Sequence, residues 1–231
     1  MSKIPVYFMP GLAANPLIFE RIKLDETLFD VYYLEWEIPE KEESLEDYAK
    51  RLVLKIKEEN PVLIGVSFGG ILVQEMAKHI SVRKLIIISS IKTNLELPKR
   101  LQFIKKTKLY KLVPISLLLG FVKLVQLISG EKTKHKMQLY EKFLSVRDER
   151  YLKWAFEKVL LWNCPVANEK VIHIHGSRDE VFPVKNIKNC IVVAGGTHVM
   201  IYTKYRWFNA NLANIILGKN SNGEIPNSNF Y

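Results

Sequence analysis

Val62-Leu63-Ile64-Gly65-Val66-Ser67-Phe68-Gly69-Gly70-Ile71-Leu72-Val73 is the stretch on which the reading of this chain turns. Its first five residues are apolar and partly β-branched, the composition of a buried strand. Past Gly69, the residues Ile71, Leu72, Met76 and Ala77 recur at helical spacing. A strand that turns sharply and restarts at once as a helix leaves one residue at its apex, here Ser67. Gly65 and Gly69 suit that turn because a Cβ at either position would collide with the tightly folded backbone. This is the strand–turn–helix setting in which a G-x-S-x-G pattern presents a nucleophile. The pattern by itself also fits an ordinary β–α turn, so the rest of the chain has to decide.

Outward from this stretch, apolar strands alternate with amphipathic helices. Strands are expected at 4–9, 29–36, 61–66, 84–90, 170–175 and 189–194, and helices at 44–59, 68–79 and 200–217. Ser44 has the character of an N-cap, with Asp47 three residues on in the place of a capping-box acid. Continuous apolar strands between helices predict a parallel sheet covered on both faces. Residues 92–163 break the alternation, carry no strand pattern and look helical. The expected organisation is therefore an α/β core formed by 1–91 and 164–217, a helical insertion at 92–163, and a poorly ordered tail at 218–231, rich in Asn and Ser.

Composition bounds the function. The chain has 231 residues, 48% hydrophobic and 25% charged, enough for one domain with a core of ordinary size. Met1-Ser2-Lys3 leads straight into the first strand, which is too short for a secretory leader. Cys164 and Cys190 offer no disulfide framework. The expected setting is cytoplasmic. The net charge is +10. Residues 92–163 hold 16 Lys and Arg against 6 Asp and Glu, an excess equal to that whole charge. Within them, Leu112–Ile128 is apolar but interrupted by Pro114, Gly120 and Lys123, and short of the roughly 20 residues of a membrane span. It reads as a lid helix packed on the core; the alternative is a face that lines an acyl pocket or touches an anionic membrane. No nucleic-acid-binding motif accompanies the charge.

A serine hydroxyl needs a base to take its proton. Of the five histidines, His79 and His135 lie in Lys-containing helical segments and read as solvated. His173 and His175 share one face of a strand, a core or supporting pair rather than a metal site. His198 follows a strand directly, in Gly195-Gly196-Thr197-His198, at the carboxyl end where parallel sheets place their chemistry. Asp179, in the turn after strand 170–175, is the candidate acid, with Glu180 its nearest competitor. The order Ser67, Asp179, His198, each just past a strand, is the order Ser…Asp…His.

With three separated signatures, Gly65-Val66-Ser67-Phe68-Gly69, His175-Gly176-Ser177-Arg178-Asp179 with Pro183, and Gly195-Gly196-Thr197-His198, the chain resembles the α/β-hydrolase superfamily over residues 4–217, with 92–163 at the usual place of a cap. The resemblance implies a mostly parallel sheet with helices on both faces; because this chain begins at the family's third strand, about six strands are expected. It implies a serine hydrolase acting on a small-molecule carboxylic ester or thioester through an acyl-enzyme on Ser67, with no metal and no organic cofactor. Acyl transfer by the same triad and a non-catalytic binding protein on the same fold are the alternatives. Ser67 speaks against the dehalogenases and epoxide hydrolases of this fold, which usually place Asp at the elbow. The oxyanion donors would be the N–H groups of Leu12 and Phe68. Many members have His-Gly after the first of these strands, whereas this chain has Pro10-Gly11, so the loop is held without that histidine. A branched side chain at Gly11 is expected to displace the backbone donors.

Overall fold

The structure is a computed structural model and describes residues 2–112, 142–143 and 146–219. Most of the apolar run 112–128, His135 and the end of the tail lie outside those residues, so the lid and lipid readings of that run are not addressed by it.

Six strands form one sheet: β1 (Ile4–Met9), β2 (Phe29–Tyr33), β3 (Val62–Val66), β4 (Lys84–Ile88), β5 (Val171–Gly176) and β6 (Ile191–Val193). Their order is β2-β1-β3-β4-β5-β6, and every pairing is parallel. The chain steps outward from β1 to β2, then returns past β1 to β3 and builds away on the other side. The order reverses between β1 and β3, and a crevice opens at the carboxyl ends of strands that diverge in this way. The loop after β1 and the turn holding Ser67 meet at that point.

The strands are apolar on both sides because each face has a core. Tyr7, Met9, Leu63, Leu85 and Ile87 face one cluster with helices α1 (Leu45–Val53) and α2 (Phe68–Met76). Phe8, Val62, Ile64, Ile86, Ile88 and Ile174 face the other, closed by α5 (Met200–Thr203) and α6 (Tyr205–Leu217). Between β4 and β5 run α3 (Lys99–Thr107) and α4 (Glu149–Leu161), which add Leu101, Tyr151, Leu152, Trp154 and Leu160 to the first cluster. No helix among the described residues is long and apolar enough to cross a membrane.

Several element boundaries differ from expectation for local reasons. β2 ends at Tyr33, three residues early, although Leu34 N–H still reaches Phe8 O at 2.9 Å; the chain then turns Trp36 into the core. The first helix ends at Val53 rather than near Glu59, and Leu54 is left 73% exposed. Ser44 caps it by accepting from Asp47 N–H at 3.0 Å, while its own hydroxyl donates to the Asp47 carboxylate at 2.6 Å. β6, on the sheet edge, keeps only three paired residues. The last helix is two, broken at Lys204, whose φ of −108° and ψ of 27° are not helical.

Candidate active site

Ser67 stands between β3 and α2 with φ 53° and ψ −120°, positive-φ backbone that a non-glycine residue holds only when its surroundings impose it. Here they do. Ser67 N–H donates to Ile88 O at 2.9 Å, and Ser67 O accepts from Gly70 N–H at 2.9 Å and from the Ser90 hydroxyl at 2.7 Å. A Cβ on Gly65 would lie 2.2 Å from Gly69 O, and one on Gly69 would lie 2.3 Å from Pro10 O. Gly65 is thus packed against the elbow's own backbone, and Gly69 against the backbone at the end of β1.

The side chains that follow three separate strands meet here. His198 Nε2 lies 2.9 Å from Ser67 Oγ, and His198 Nδ1 lies 2.9 Å from Asp179 Oδ2 and 3.2 Å from Oδ1. A carboxylate accepts, so Nδ1 carries the proton and donates to Asp179; Nε2 is then free to accept from the serine hydroxyl. Asp179 Oδ1 also accepts from the N–H groups of Val181 and Phe182, both at 2.9 Å. Burial pushes the Asp179 carboxyl pKa up, but the charge and hydrogen bond of His198, with His175 and Phe182 N–H, outweigh it, and the net shift is downward. Glu180, the competitor for this role, is exposed; its carbonyl and that of Val181 accept from Arg100 on α3.

Two further histidines stand behind the acid. His175 Nε2 is 2.7 Å from Phe182 O and 3.6 Å from Asp179 Oδ2, and its Nδ1 is 3.0 Å from His173 Nε2. A carbonyl only accepts, so His175 donates through Nε2 and accepts from His173 through Nδ1, and His173 Nδ1, buried in the core, has no hydrogen-bond partner within bonding geometry among the described residues. Burial lowers both pKa values: that of His173 far below the ordinary range, with His175 and Lys92 adding to the effect, and that of His175 against the pull of Asp179. Both are neutral supports for the turn that carries Asp179. His79, read as solvated, is instead half-buried, and its Nε2 has no hydrogen-bond partner among the described residues.

On the other side of Ser67, neither Leu12 N–H nor Phe68 N–H has a hydrogen-bond partner among the described residues. Phe68 opens α2, where backbone N–H groups point outward and the helix dipole favours negative charge. A Cβ on Gly11 would meet Ser67 Cβ at 3.4 Å and Val66 O at 3.5 Å, ordinary contacts. A single Cβ at Gly11 thus meets no backbone clash, and the loop stands in ordinary contact with the elbow there.

Four residues around the site escaped the reading of the sequence. Gly70 is needed because its Cβ would lie 2.5 Å from Ser90 Oγ. Ser90 braces the elbow. Trp36 Nε1–H donates to Gly11 O, and the Tyr151 hydroxyl accepts from Ala13 N–H. The Gly69-Gly70 doublet and the Ser89-Ser90 pair closing a strand were visible signals. Nothing local in the sequence marks Trp36 or Tyr151.

No protein-family model matches the sequence, and no curated protein sequence does. Solved structures do. An esterase from Exiguobacterium antarcticum superposes with a TM-score of 0.65 at 17% identity, over 94% of this chain and 92% of that one. A bromoperoxidase from Bacillus anthracis gives 0.68 at 14% identity, over 94% and 93%. A thermophilic esterase from Thermogutta terrifontis gives 0.61 at 13% identity, over 94% and 90%. At such identities the likeness speaks for the fold: the chain has the α/β-hydrolase fold, with six parallel strands.

Proposed function

We propose that the protein is a serine hydrolase that cleaves a carboxylic ester or thioester through an acyl-enzyme on Ser67. The observation that carries this reading is the continuous hydrogen-bonded line Ser67–His198–Asp179, together with the Leu12 and Phe68 N–H groups, which have no hydrogen-bond partner among the described residues. Ser67 Oγ attacks the acyl carbon while His198 Nε2 takes its proton. The new bond to oxygen forms as the carbonyl π electrons move onto the carbonyl oxygen, next to Leu12 and Phe68 N–H. Collapse of that tetrahedral species expels the alkoxide or thiolate, which receives the proton from His198. Water then repeats the sequence with His198 again as base and releases the acid. Asp179 stays ionised, holds the imidazole in its Nδ1–H tautomer and stabilises the imidazolium. Each oxyanion donor contributes about 2.7–4 kcal/mol to the barrier reduction. The esterases among the solved structures of this fold support an ester as the substrate class.

The test is a chain-length panel of nitrophenyl esters and acyl-CoAs, run on wild type and Ser67→Ala. Hydrolysis by wild type only, with fluorophosphonate labelling that disappears in Ser67→Ala, is the expected result. No turnover of any panel member and no labelling would refute the proposal.

A further inference from the structure

The loop after β1 lacks the histidine that precedes its glycine in many proteins of this fold, yet it is held from two directions. From the body, Trp36 Nε1–H donates to Gly11 O at 2.8 Å. From the insertion between β4 and β5, the Tyr151 hydroxyl accepts Ala13 N–H at 3.1 Å, and Val146 N–H donates to Ala13 O at 3.2 Å. Asn15 N–H donates to Phe143 O at 2.8 Å, and Asn15 Nδ2 donates to Lys142 O at 2.7 Å. Ala13 sits at φ 62°, backbone that needs such anchoring in a residue other than glycine.

The peptide plane turns these anchors into an orienting device. Gly11 C=O and Leu12 N–H belong to one rigid planar group and point opposite ways. Fixing the carbonyl on Trp36 fixes the direction of Leu12 N–H. The next plane, Leu12 C=O with Ala13 N–H, is fixed by Tyr151, so Leu12 is clamped on both sides. The two anchoring rings also touch each other, 5.4 Å apart. Trp36 stacks at 4.8 Å and 5° on Phe68, the residue bearing the second donor. All three rings are buried, and burial keeps the Tyr151 phenol neutral, its pKa raised well above the ordinary value.

We infer that Trp36 and Tyr151 are positioning residues for the oxyanion loop, and that α4 of the insertion thereby completes the site rather than only covering it. This rests on the hydrolase reading above. The experiment uses the full chain with Trp36→Phe, which keeps the stacked ring and deletes the N–H, and Tyr151→Phe, which deletes only the hydroxyl. Active sites are titrated with a fluorophosphonate, and kcat, KM and the inhibition constant of a trifluoromethyl ketone matched to the best ester are measured. The ketone adduct carries the oxyanion, so its affinity follows transition-state stabilisation. Trp36→Phe is expected to lose about tenfold to a hundredfold in kcat per titrated site, the scale of a misdirected donor, with KM changed by less than about threefold. Ketone affinity should fall in proportion to kcat/KM. Tyr151→Phe should shift the same quantities the same way by less. A purely structural role would lower the titrated fraction or the melting temperature and leave kcat per site intact. That result in either variant overturns the inference; should Trp36→Phe not fold, Tyr151→Phe decides alone. Wild type that is neither labelled nor active overturns the hydrolase reading and this one with it, whereas active wild type with unaffected variants overturns this one only.

Discussion

Gly69→Ala puts one methyl group where the end of β1 touches the elbow. The added Cβ would stand 2.3 Å from Pro10 O and 2.6 Å from Met9 O, distances that real Cβ atoms do not adopt below 3.0 Å. The obstructing atoms are backbone and cannot rotate aside, so something must move by about 0.7 Å or more. β1 is paired on both edges, to β2 and to β3, and resists displacement. The movement therefore falls on Pro10–Leu12 or on the first turn of α2, and each of these carries one of the two candidate oxyanion donors. Overpacking of this kind costs about 1–3 kcal/mol of stability. For a chain of this length that is a melting temperature lower by roughly 2–4 °C per kcal/mol. A donor displaced by close to 1 Å lowers kcat by about a hundredfold. The assay is thermal unfolding by circular dichroism together with kcat and KM on the best ester of the panel. A variant that melts lower but keeps wild-type kcat would refute the coupling between this contact and the oxyanion donors. A variant unchanged in both would refute the tight packing itself.

Asp179→Asn should lower kcat by about ten-thousandfold with the fold retained, because an amide does not hold the Nδ1–H tautomer of His198. Glu180→Gln, on an exposed side chain beside it, should leave kcat within about twofold; the reverse ranking would transfer the acid role. Stability should depend on pH through His173 and His175, whose folded-state pKa values are lowered from 6.5. The unfolded chain binds protons there that the folded chain refuses, so stability is full above about pH 6.5 and declines as pH falls below it. His173→Gln should flatten that decline in melting temperature, and an unchanged slope would assign it to other groups. Lys106, Lys108 and Lys111 are exposed and Lys105 is half-buried, with Phe103 61% and Leu109 42% exposed among them. If this face meets an anionic membrane, co-sedimentation with anionic vesicles should weaken with salt and fall when the four lysines become Gln, by roughly 1 kcal/mol per residue. No sedimentation at low salt would leave the lysines merely solvated.

The α/β architecture was legible in the sequence because burial on both faces of a parallel sheet writes itself as continuous apolar runs such as Leu85-Ile86-Ile87-Ile88. Ser67, Asp179 and His198 could be singled out for a related reason. Each lies in the turn or loop after a strand, and a glycine-bearing turn after a strand is a local pattern. The preference for Asp179 over Glu180 was the weakest of the three, since neighbours in one turn differ only in where the tertiary fold aims them. His173 and His175 read as a core or supporting pair on one face, but not as partners of Phe182, because that hydrogen bond depends on the turn folding back over β5. The brace of the oxyanion loop lay furthest from view. Trp36 is 25 residues from Gly11, and Tyr151 is 138 from Ala13. Side chains so distant in sequence have no periodicity or motif in common, and only the tertiary packing that sets Trp36, after β2, and Tyr151, on α4, against the loop after β1 brings their polar atoms within hydrogen-bond reach of it.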